Sequence, residues 1–346
     1  MTMPKSEIIA YLNGRDNAGL FTEADRVRRA VFAEKVYLRG IIEYTNHCRQ
    51  NCFYCGLRAG NHVAIRYRLT RDEILQSVNT AAKQKIRTIV LQGGEDSYYS
   101  AEWIADLIRE IVSKYDLAIT LSLGERSPAV LRMWREAGAD RYLLRIETWN
   151  KDNYHKLRPG RRWENRLNCL KVLRELGYEV GSGIMVGLPG ETVETLADAI
   201  LGLTNLDLDM IGIGPFIAHP QTPLKDEPNG AIRLTLRTLA LVRILNPYAN
   251  MPTTSAMECA ARGARIAALR AGMNVIMPSI TPERVKQLYN IYPGKNNDGD
   301  DSEHSIPAVL AIIHEAGFRP NFSKGISPNF TRRDKSVSIL SKQMNI

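Results

Sequence analysis

Short apolar runs alternate with amphipathic segments along most of this 346-residue chain. The apolar runs are typical of buried strands, and the segments between them repeat apolar residues at helical spacing. Regular alternation of strands and helices favours a parallel sheet, and eight such units predict an α/β fold, the complete (βα)8 barrel of the TIM type. The predicted strands are residues 36–44, 87–94, 117–123, 140–147, 178–186, 209–216, 250–256 and 273–278.

The same pattern predicts how the chain is divided. Residues 1–35 are expected to form an N-terminal helical extension, and residues 36–320 the barrel. Residues 321–346 are rich in Asn, Ser, Lys and Arg without clear periodicity, so we expect a C-terminal tail there. The first two helices of the barrel are predicted at residues 72–84 and 101–114.

The formal net charge of the chain is +9. Basic residues often stand beside acidic ones, as in Arg71-Asp72-Glu73, which indicates solvated helix faces. Interleaved aromatic and basic clusters are not seen, so we expect no nucleic-acid partner. A basic surface for an anionic substrate or an acidic partner stays open. The lack of a secretory leader and of an apolar run of about 18 residues predicts a cytoplasmic protein without a membrane span.

Cys48, Cys52 and Cys55 give the strongest chemical signal in the sequence. Their CxxxCxxC spacing offers three soft thiolates, which suits three corners of a [4Fe–4S] cluster and leaves the fourth iron open. Structural zinc is less favoured, because it usually takes four protein ligands and no second cysteine pair exists. His47 is an awkward fourth ligand, since it stands next to Cys48.

Polar residues follow several predicted strands, at the ends that form the active-site face of a parallel barrel. Gly93-Gly94-Glu95 follows the second strand, where the glycines fit either a close approach to a ligand or an ordinary turn. Ser122 and Glu147 follow the third and fourth strands and can hydrogen-bond ribose hydroxyls or an amino group. Arg166 opens a predicted helix and can bind a carboxylate through two N–H groups.

The cysteine triplet, which directly follows a strand-like segment, resembles the radical S-adenosylmethionine (SAM) superfamily. The resemblance implies that the three cysteines hold a [4Fe–4S] cluster and that SAM binds the open iron through its amino and carboxylate groups. One electron from the cluster then cleaves a carbon–sulfur bond of SAM and forms a 5′-deoxyadenosyl radical. Gly93, Gly94 and Glu95 match the motif with which this superfamily holds the amino group.

Five further segments resemble the HydE family of FeFe-hydrogenase maturases within that superfamily. This resemblance implies an enzyme that acts during assembly of the di-iron subcluster of the hydrogenase. The radical would attack the sulfur of a cysteine bound to an iron carbonyl cyanide precursor, a small organometallic substrate. A flavodoxin or ferredoxin would donate the electron, and the maturases HydF and HydG would be partners. The five segments are residues 137–145, 164–169, 185–190, 209–216 and 287–295.

The same resemblance implies site residues. Ser122, Glu147 and Arg166 match positions that hold SAM. A radical needs a closed, dry chamber, since solvent or any reachable C–H bond would quench it. The lining of that chamber is implied to include Thr253, Thr254, Ser255, Met257, Tyr289 and Tyr292. Packing on one helix face is the alternative interpretation of the two tyrosines.

Two segments depart from the pattern of the HydE family. Ile146 stands where the family often carries histidine, which puts in doubt any mechanism that requires an imidazole there. Some members place three cysteines for an additional cluster after the segment that ends at Lys295. Residues 296–305 are polar and acidic without cysteine, so we predict one cluster only and a mobile surface loop.

Two other functions stay open, and a third is disfavoured. A HydE-like paralogue, such as a lysine mutase that makes methylornithine, would share the barrel, and Ile146 keeps it under consideration. Sulfur insertion of the biotin synthase type needs ligands for a second cluster, which Cys169 and Cys259 do not supply. Cys169 lies in a helical apolar pattern and is expected in the core, whereas Cys259 has no clear interpretation. The second open alternative is an iron–sulfur scaffold protein without catalysis.

Overall fold

The computed structural model describes residues 3–296 and 306–334 of the chain and has an α/β architecture. The helices are α1 (Lys5–Leu12), α2 (Asn17–Phe32), α3 (Arg71–Lys83), α4 (Ala101–Lys114), α5 (Pro128–Glu136), α6 (Lys151–Leu157), α7 (Trp163–Glu175), α8 (Val193–Asn205), α9 (Ile232–Leu245), α10 (Ser255–Ala260), α11 (Ala264–Arg270), α12 (Glu283–Lys286) and α13 (Ile306–Glu315). The strands are β1 (Lys35–Leu38), β2 (Gly40–Thr45), β3 (Thr88–Gly93), β4 (Ala118–Ser122), β5 (Arg141–Leu143), β6 (Glu179–Ser182), β7 (Met185–Val186), β8 (Met210–Ile211), β9 (Gly214–Pro215), β10 (Val275–Ile276) and β11 (Arg319–Asn321).

Six parallel strands form the central sheet, in the order β2-β3-β4-β5-β6-β8. The short strands β7 and β9 pair with each other, and β1 lies between β10 and β11. Isolated parallel bridges join Met210 to Asn250, Pro252 to Val275 and Ile41 to Ser279. The pairing therefore continues beyond β8 through residues 250–253 and 275–279 toward β2.

The strand boundaries differ from the sequence predictions at several places. The predicted strands 178–186 and 209–216 each divide into two, as β6 with β7 and β8 with β9, and the predicted strand 140–147 ends early, at Leu143. The predicted strand 36–44 divides at Arg39, because β1 pairs with β10 and β11 whereas β2 pairs with β3. The predicted strand 250–256 is wrong over its second half. Thr254 is the N-cap of α10, so the helix begins at Ser255, and the preceding residues pair only through isolated bridges.

Helices α3 and α4 begin after capping residues. Thr70 and Glu73 form a reciprocal capping box at the start of α3, and Ser100 caps α4. Both helices lie within one residue of the predicted ranges. Their apolar faces are buried against the sheet, as Ile104 and Ile108 of α4 show. Among the described residues, no helix has the length and hydropathy needed to cross a membrane.

The amino ends of the central strands are covered by residues 324–327, which we call the floor segment. The carbonyl oxygen of Lys324 accepts a hydrogen bond from Arg141 Nη2 at 2.8 Å, and that of Gly325 accepts one from Arg39 Nη2 at 3.2 Å. Helices α1 and α2 instead pack against the outer helices α8 and α9. The floor segment has no periodic pattern in the sequence, and its contacts with the two arginines are made by backbone carbonyls.

Candidate active site

A cavity of about 300 Å³ lies at the carboxyl ends of the strands. Its walls combine the cysteine loop with residues from most of the following strand ends. The predicted site residues that line it are Cys48, Cys52, Cys55, Gly93, Gly94, Glu95, Ser122, Glu147, Arg166, Thr254, Ser255, Tyr289 and Tyr292. Residues almost 250 positions apart in sequence therefore share one chamber, which is what strand ends on one face of a parallel sheet predict.

Two predicted residues do not line this cavity. Thr253 is buried behind the wall, where its backbone N–H donates to the carbonyl oxygen of Val275 at 2.9 Å. Met257 is fully buried and belongs to the hydrophobic core under α10. Both therefore support the wall from behind in this structure.

Ile146 is also directed into the core and does not line the cavity. Its neighbours Arg145 and Glu147 do line the cavity, as alternation along an extended segment requires. The backbone N–H of Ile146 donates to Ser182 Oγ at 3.1 Å. Ile146, where the resemblance led us to consider a histidine, therefore contributes to packing in this chain and not to the side chains that face the cavity.

The cysteine loop is fastened to the end of β3. Cys48 Sγ accepts hydrogen bonds from the backbone N–H groups of Gln50 at 3.4 Å and Glu95 at 3.3 Å. A Cβ at Gly94 would lie 2.1 Å from the carbonyl oxygen of His47 and 2.7 Å from Cys48 Cβ. Glycine is thus required at residue 94 because the strand end touches the loop, and this contact explains the residue without any ligand.

The chemistry of the three thiols fits a [4Fe–4S] cluster. Burial raises the pKa of the Cys48 and Cys55 thiols, so iron binding has to displace their protons. Within residues 3–296 and 306–334, no three His, Cys, Asp or Glu side chains surround a single metal position. A cluster needs a different arrangement, with three thiolates on three separate iron atoms, and Cys48, Cys52 and Cys55 line one cavity.

Glu95 holds the cysteine loop together. Its carboxylate accepts hydrogen bonds from Gln50 Nε2 at 2.6 Å and from Arg161 Nη2 at 3.1 Å, and lies 3.6 Å from Arg49 Nε. Its backbone N–H donates to Cys48 Sγ at 3.3 Å. Side chain and backbone of Glu95 therefore both stabilise the loop that carries the thiols.

Arg166 lies in the first turn of α7, as predicted, and is buried. Its Nε lies 3.0 Å from Glu125 Oε1 and donates to Tyr154 Oη at 3.3 Å. The guanidinium is thereby held in place at the cavity wall, with its other nitrogens available to a carboxylate.

Glu147 and Ser122 occupy neighbouring strand ends. Glu147 has a φ of 70°, a left-handed conformation that is uncommon for a residue other than glycine. Its Oε2 lies 3.3 Å from Arg145 Nε. Ser122 is the last residue of β4 and pairs with Gln92 in the ladder. The strained backbone at Glu147 turns its carboxylate toward the cavity that both residues line.

Arg158 is a site residue that sequence reasoning missed. The Arg158-Pro159-Gly160 segment has the composition of a turn, and its arginine carries no sequence signal of burial. In the structure Arg158 is buried and lines the cavity, with its guanidinium 5.3 Å from the centre of the Tyr154 ring. Its side chain has no hydrogen-bond or ion-pair partner among the described residues. An unpaired buried cation is costly, so this one favours an anionic ligand in the cavity.

Lys295 was also missed, although it belongs to one of the five segments that resemble HydE. Its Nζ lies 2.7 Å from Glu43 Oε1, and both side chains are buried. Burial alone would raise the pKa of Glu43, but Lys295 and two hydroxyls, those of Thr281 and Ser279, hold it below its usual value. The ion pair fastens the segment that ends at Lys295 to β2.

The same segment supplies both predicted tyrosines. Tyr289 Oη accepts a hydrogen bond from Gln92 Nε2 at 3.2 Å, and Tyr292 Oη lies 2.7 Å from Ser255 Oγ. Each tyrosine thus places a hydroxyl at the wall, beyond the simple packing that their spacing allows. Of the predicted mobile loop 296–305, only Asn296 lies within the described residues.

The two other cysteines lie outside the cavity wall. Cys169 is buried on α7 and packs in the core, as its helical pattern predicts. Cys259 on α10 has its Sγ 3.1 Å from the carbonyl oxygen of Gly294. Neither of them lines the cavity that Cys48, Cys52 and Cys55 line.

Residues 42–201 match the radical SAM superfamily. The chain is 50% identical to the [FeFe] hydrogenase maturase subunit HydE of Thermotoga maritima over 304 residues, which cover 88% of this chain and 87% of that protein. It is 28% identical to the 3-methylornithine synthase of Methanosarcina acetivorans over 303 residues, which cover 87% and 85%.

Two solved structures share the fold. Methylornithine synthase (PylB) superposes with a TM-score of 0.80 at 23% identity, over 93% of this chain and 95% of that one. The maturase HydG superposes with a TM-score of 0.81 at 17% identity, over 96% and 77%. At such identities the likeness concerns the fold alone, and the family assignment rests on the sequence match. This chain therefore belongs to the HydE family of the radical SAM superfamily, whose enzymes cleave SAM with a [4Fe–4S] cluster.

Proposed function

We propose that this chain is a HydE-type maturase, which applies a 5′-deoxyadenosyl radical to the sulfur of a cysteine-bound iron carbonyl cyanide precursor. The observation that carries the proposal is a single cavity lined both by the three cysteines and by Arg145, Lys295 and Tyr292. Half of the residues aligned with the Thermotoga HydE are identical, which supports the same chemistry.

The residues of the cavity wall divide into two groups, one suited to SAM and the other to a small substrate. When bound, the reduced cluster supplies one electron to SAM and yields the radical. Gly93 and Gly94 border the position expected for the SAM amino group, and Ser122 and Glu147 offer hydrogen bonds to its polar atoms. Arg166, positioned by Glu125 and Tyr154, is proposed to hold the SAM carboxylate.

The other group suits a small organometallic substrate. Cyanide, carbon monoxide and carboxylate groups accept hydrogen bonds, and Lys295, Thr254, Ser255 and Tyr292 place donors at the wall. A mostly apolar chamber with a few polar groups excludes water from a radical and fixes its target. The floor segment closes the opposite ends of the strands, which supports such a dry chamber.

We further propose a complete (βα)8 barrel as the catalytic domain, over residues 36–320. Its support is the chain of parallel bridges from β8 through residues 250–253 and 275–279 to β2. Residues 1–35 would be the helical extension and residues 321–346 the tail. The floor segment would then be the part of the tail that closes the barrel.

The proposed setting is the cytoplasm under anaerobic conditions, with a flavodoxin or ferredoxin as the electron donor. The Thermotoga relative is described as a subunit of a maturase, which supports joint work with the maturases HydG and HydF. No nucleic acid and no membrane are part of this proposal.

A lysine mutase that makes methylornithine is the second candidate. It is favoured by 28% identity to a 3-methylornithine synthase across 87% of the chain. Ile146 no longer supports it strongly, because its side chain lies in the core. The 50% identity to HydE makes the maturase the better supported function.

Nucleoside analysis separates the two candidates. The protein is reconstituted anaerobically with iron and sulfide, and is given SAM and dithionite with either a cysteine-bound iron carbonyl cyanide complex or lysine. We expect an adenosyl adduct by mass spectrometry only with the iron complex. Plain 5′-deoxyadenosine stimulated by lysine would instead establish the mutase. The Cys52→Ala variant, expected to lack the cluster, is the control for both reactions.

A further inference from the structure

An apolar patch is exposed next to the cysteine loop. Val63, Ile65 and Tyr98 are 69%, 70% and 69% exposed. Within residues 3–296 and 306–334, the two remaining exposed large apolar side chains are Val112 on α4 and Ile326 in the floor segment. Three of five such residues therefore lie in one region, and exposed apolar groups that gather beside a functional site indicate a binding surface.

Hydrogen bonds place this patch directly over the loop that carries the thiols. Asn46, two residues before Cys48, donates from Nδ2 to the carbonyl oxygen of Ile65 at 2.8 Å. Arg66 in turn donates a hydrogen bond from Nη1 to the carbonyl oxygen of Asn46 at 2.6 Å. Tyr98 is joined to the same segment through Arg68, three residues after Ile65, whose guanidinium lies 4.5 Å from the centre of the Tyr98 ring.

Three arginines border the patch. Arg49 is exposed, and Arg58 and Arg68 are partly exposed. Glu95 and Asp96, the acidic residues of the same segments, are buried and pair with Arg49 and Arg68 of this rim. Arg58 and Arg66 have no acidic partner among the described residues, so cations remain in excess. This local excess of cations agrees with the net charge of +9 for the chain. The face thus combines an apolar centre with a cationic rim.

We propose that Val63, Ile65 and Tyr98, with the rim arginines Arg49, Arg58 and Arg68, form a docking patch for an acidic flavodoxin-type protein. The inference rests on the proposed function, because only an enzyme with a reducible cluster needs this partner. A flavin presents an apolar dimethylbenzene edge, and an acidic rim around it would complement the arginines. Apolar contact at the centre and opposite charge at the rim therefore fit the same partner.

The position of the patch suits electron transfer. Cys48 is partly exposed, and Asn46 at the start of its loop is bonded to Ile65 of the patch, so a docked flavin edge would lie near the cluster. One electron moves from the reduced flavin to the cluster. The flavin is oxidised by one electron, the cluster is reduced by one, and no bond to this chain forms or breaks.

Charge placed at the centre of the patch tests the proposal. Purified oxidised flavodoxin is titrated calorimetrically into the reconstituted protein without SAM, comparing the native chain with Val63→Glu and Ile65→Glu. We expect each variant to weaken binding about tenfold, because a carboxylate replaces an apolar contact and opposes an acidic partner. Val112→Glu, an exposed apolar position on α4, is the matched control and should bind as the native chain does. Binding to the native chain should also weaken as salt is raised.

Kinetics separate docking from cluster chemistry. With reduced flavodoxin as the donor, 5′-deoxyadenosine formation should show a raised KM for flavodoxin in both variants. With dithionite as the donor, their rates should match the native rate. Equal losses with both donors, unchanged flavodoxin affinity, or a loss confined to a ferredoxin donor would each overturn the proposal. Failure of the maturase assay in the native chain with dithionite would instead reject the proposed function, so the two failures are distinguishable.

Discussion

Arg141 and Arg158 are both buried arginines, but they lie at opposite ends of the strands. At the amino ends, Arg141 Nε is 3.0 Å from Glu179 Oε1, and its Nη2 donates to the carbonyl oxygen of Lys324 at 2.8 Å. At the carboxyl ends, Arg158 has a similar burial but no hydrogen-bond or ion-pair partner among the described residues. The first arginine is satisfied by the protein, and the second is not.

This difference indicates what each end of the strands does. A buried cation costs several kcal/mol unless it is paired, so an unpaired one is retained where a ligand completes it. Glu147 agrees with this interpretation, since its backbone is strained at the same end. Buried charges with protein partners therefore stabilise the fold, whereas those at the cavity prepare a binding site.

The largest expected effect is the loss of the cluster at the cavity. Cys52→Ala removes one of three thiolates, so anaerobic reconstitution should give no brown chromophore and no SAM cleavage. Folding should be retained, as circular dichroism will show, because the side chain contributes little to the core. Cys169→Ala, a core cysteine on α7, is the control and should keep the cluster. Retention of chromophore or cleavage in Cys52→Ala would contradict the assignment.

The paired substitutions Arg141→Met and Arg158→Met test the comparison itself. Arg141→Met leaves the Glu179 carboxylate buried without its cation, and should lower the free energy of unfolding by about 3–5 kcal/mol. Arg158→Met removes an unpaired cation, so stability without ligand should be unchanged or higher by about 1 kcal/mol.

We expect the affinity for SAM to fall more in Arg158→Met than in Arg141→Met, the reverse of the order for stability. SAM binding by Arg158→Met should weaken about 10- to 100-fold, because we infer that this cation shares the negative charge of the SAM carboxylate with Arg166. Urea denaturation and calorimetric SAM titration measure the two effects. Equal destabilisation by both substitutions would mean that Arg158 has a structural role.

Local patterns in the sequence were enough to predict several features. The cysteine spacing, the ranges of α3 and α4, and the polar strand ends Ser122 and Glu147 depend on residues within a few positions of one another. Alternation along the fourth strand end also orders Arg145, Ile146 and Glu147. Such local patterns can be interpreted without knowledge of distant contacts.

Features that depend on distant contacts could not be predicted. Lys295 pairs with Glu43, 252 positions away. The floor segment binds Arg141 through a backbone carbonyl, a group that every residue type has. Arg158 follows α6 in a segment with turn composition, which hides its burial. Gly94 was noticed, but its contact with the His47 carbonyl is visible only in the fold.

Gly94→Ala should have an intermediate effect. The added Cβ would meet the His47 carbonyl oxygen at 2.1 Å, so the cysteine loop must shift away from β3. We expect a loss of about 1–3 kcal/mol in the free energy of unfolding, with a lower iron content after reconstitution. Gly212→Ala is the matched control, because its Cβ would meet nothing closer than Pro252 Cγ at 4.0 Å. A native iron content in Gly94→Ala would show that the contact is dispensable.

The smallest expected effect is on the pH dependence of stability. It concerns Glu191, whose carboxyl lacks an ion-pair partner among the described residues. Burial raises its pKa to about 7, although the Gly187 N–H partly opposes the shift. Between about pH 4.5 and 7 the folded state binds more protons than the unfolded state, so this group lowers stability as pH rises. Glu191→Gln should therefore gain about 1–2 kcal/mol over the native chain between pH 5 and pH 8, measured by urea denaturation. Glu194→Gln, at an exposed site, should show no such gain, and equal pH profiles for all three proteins would mean that Glu191 is solvated.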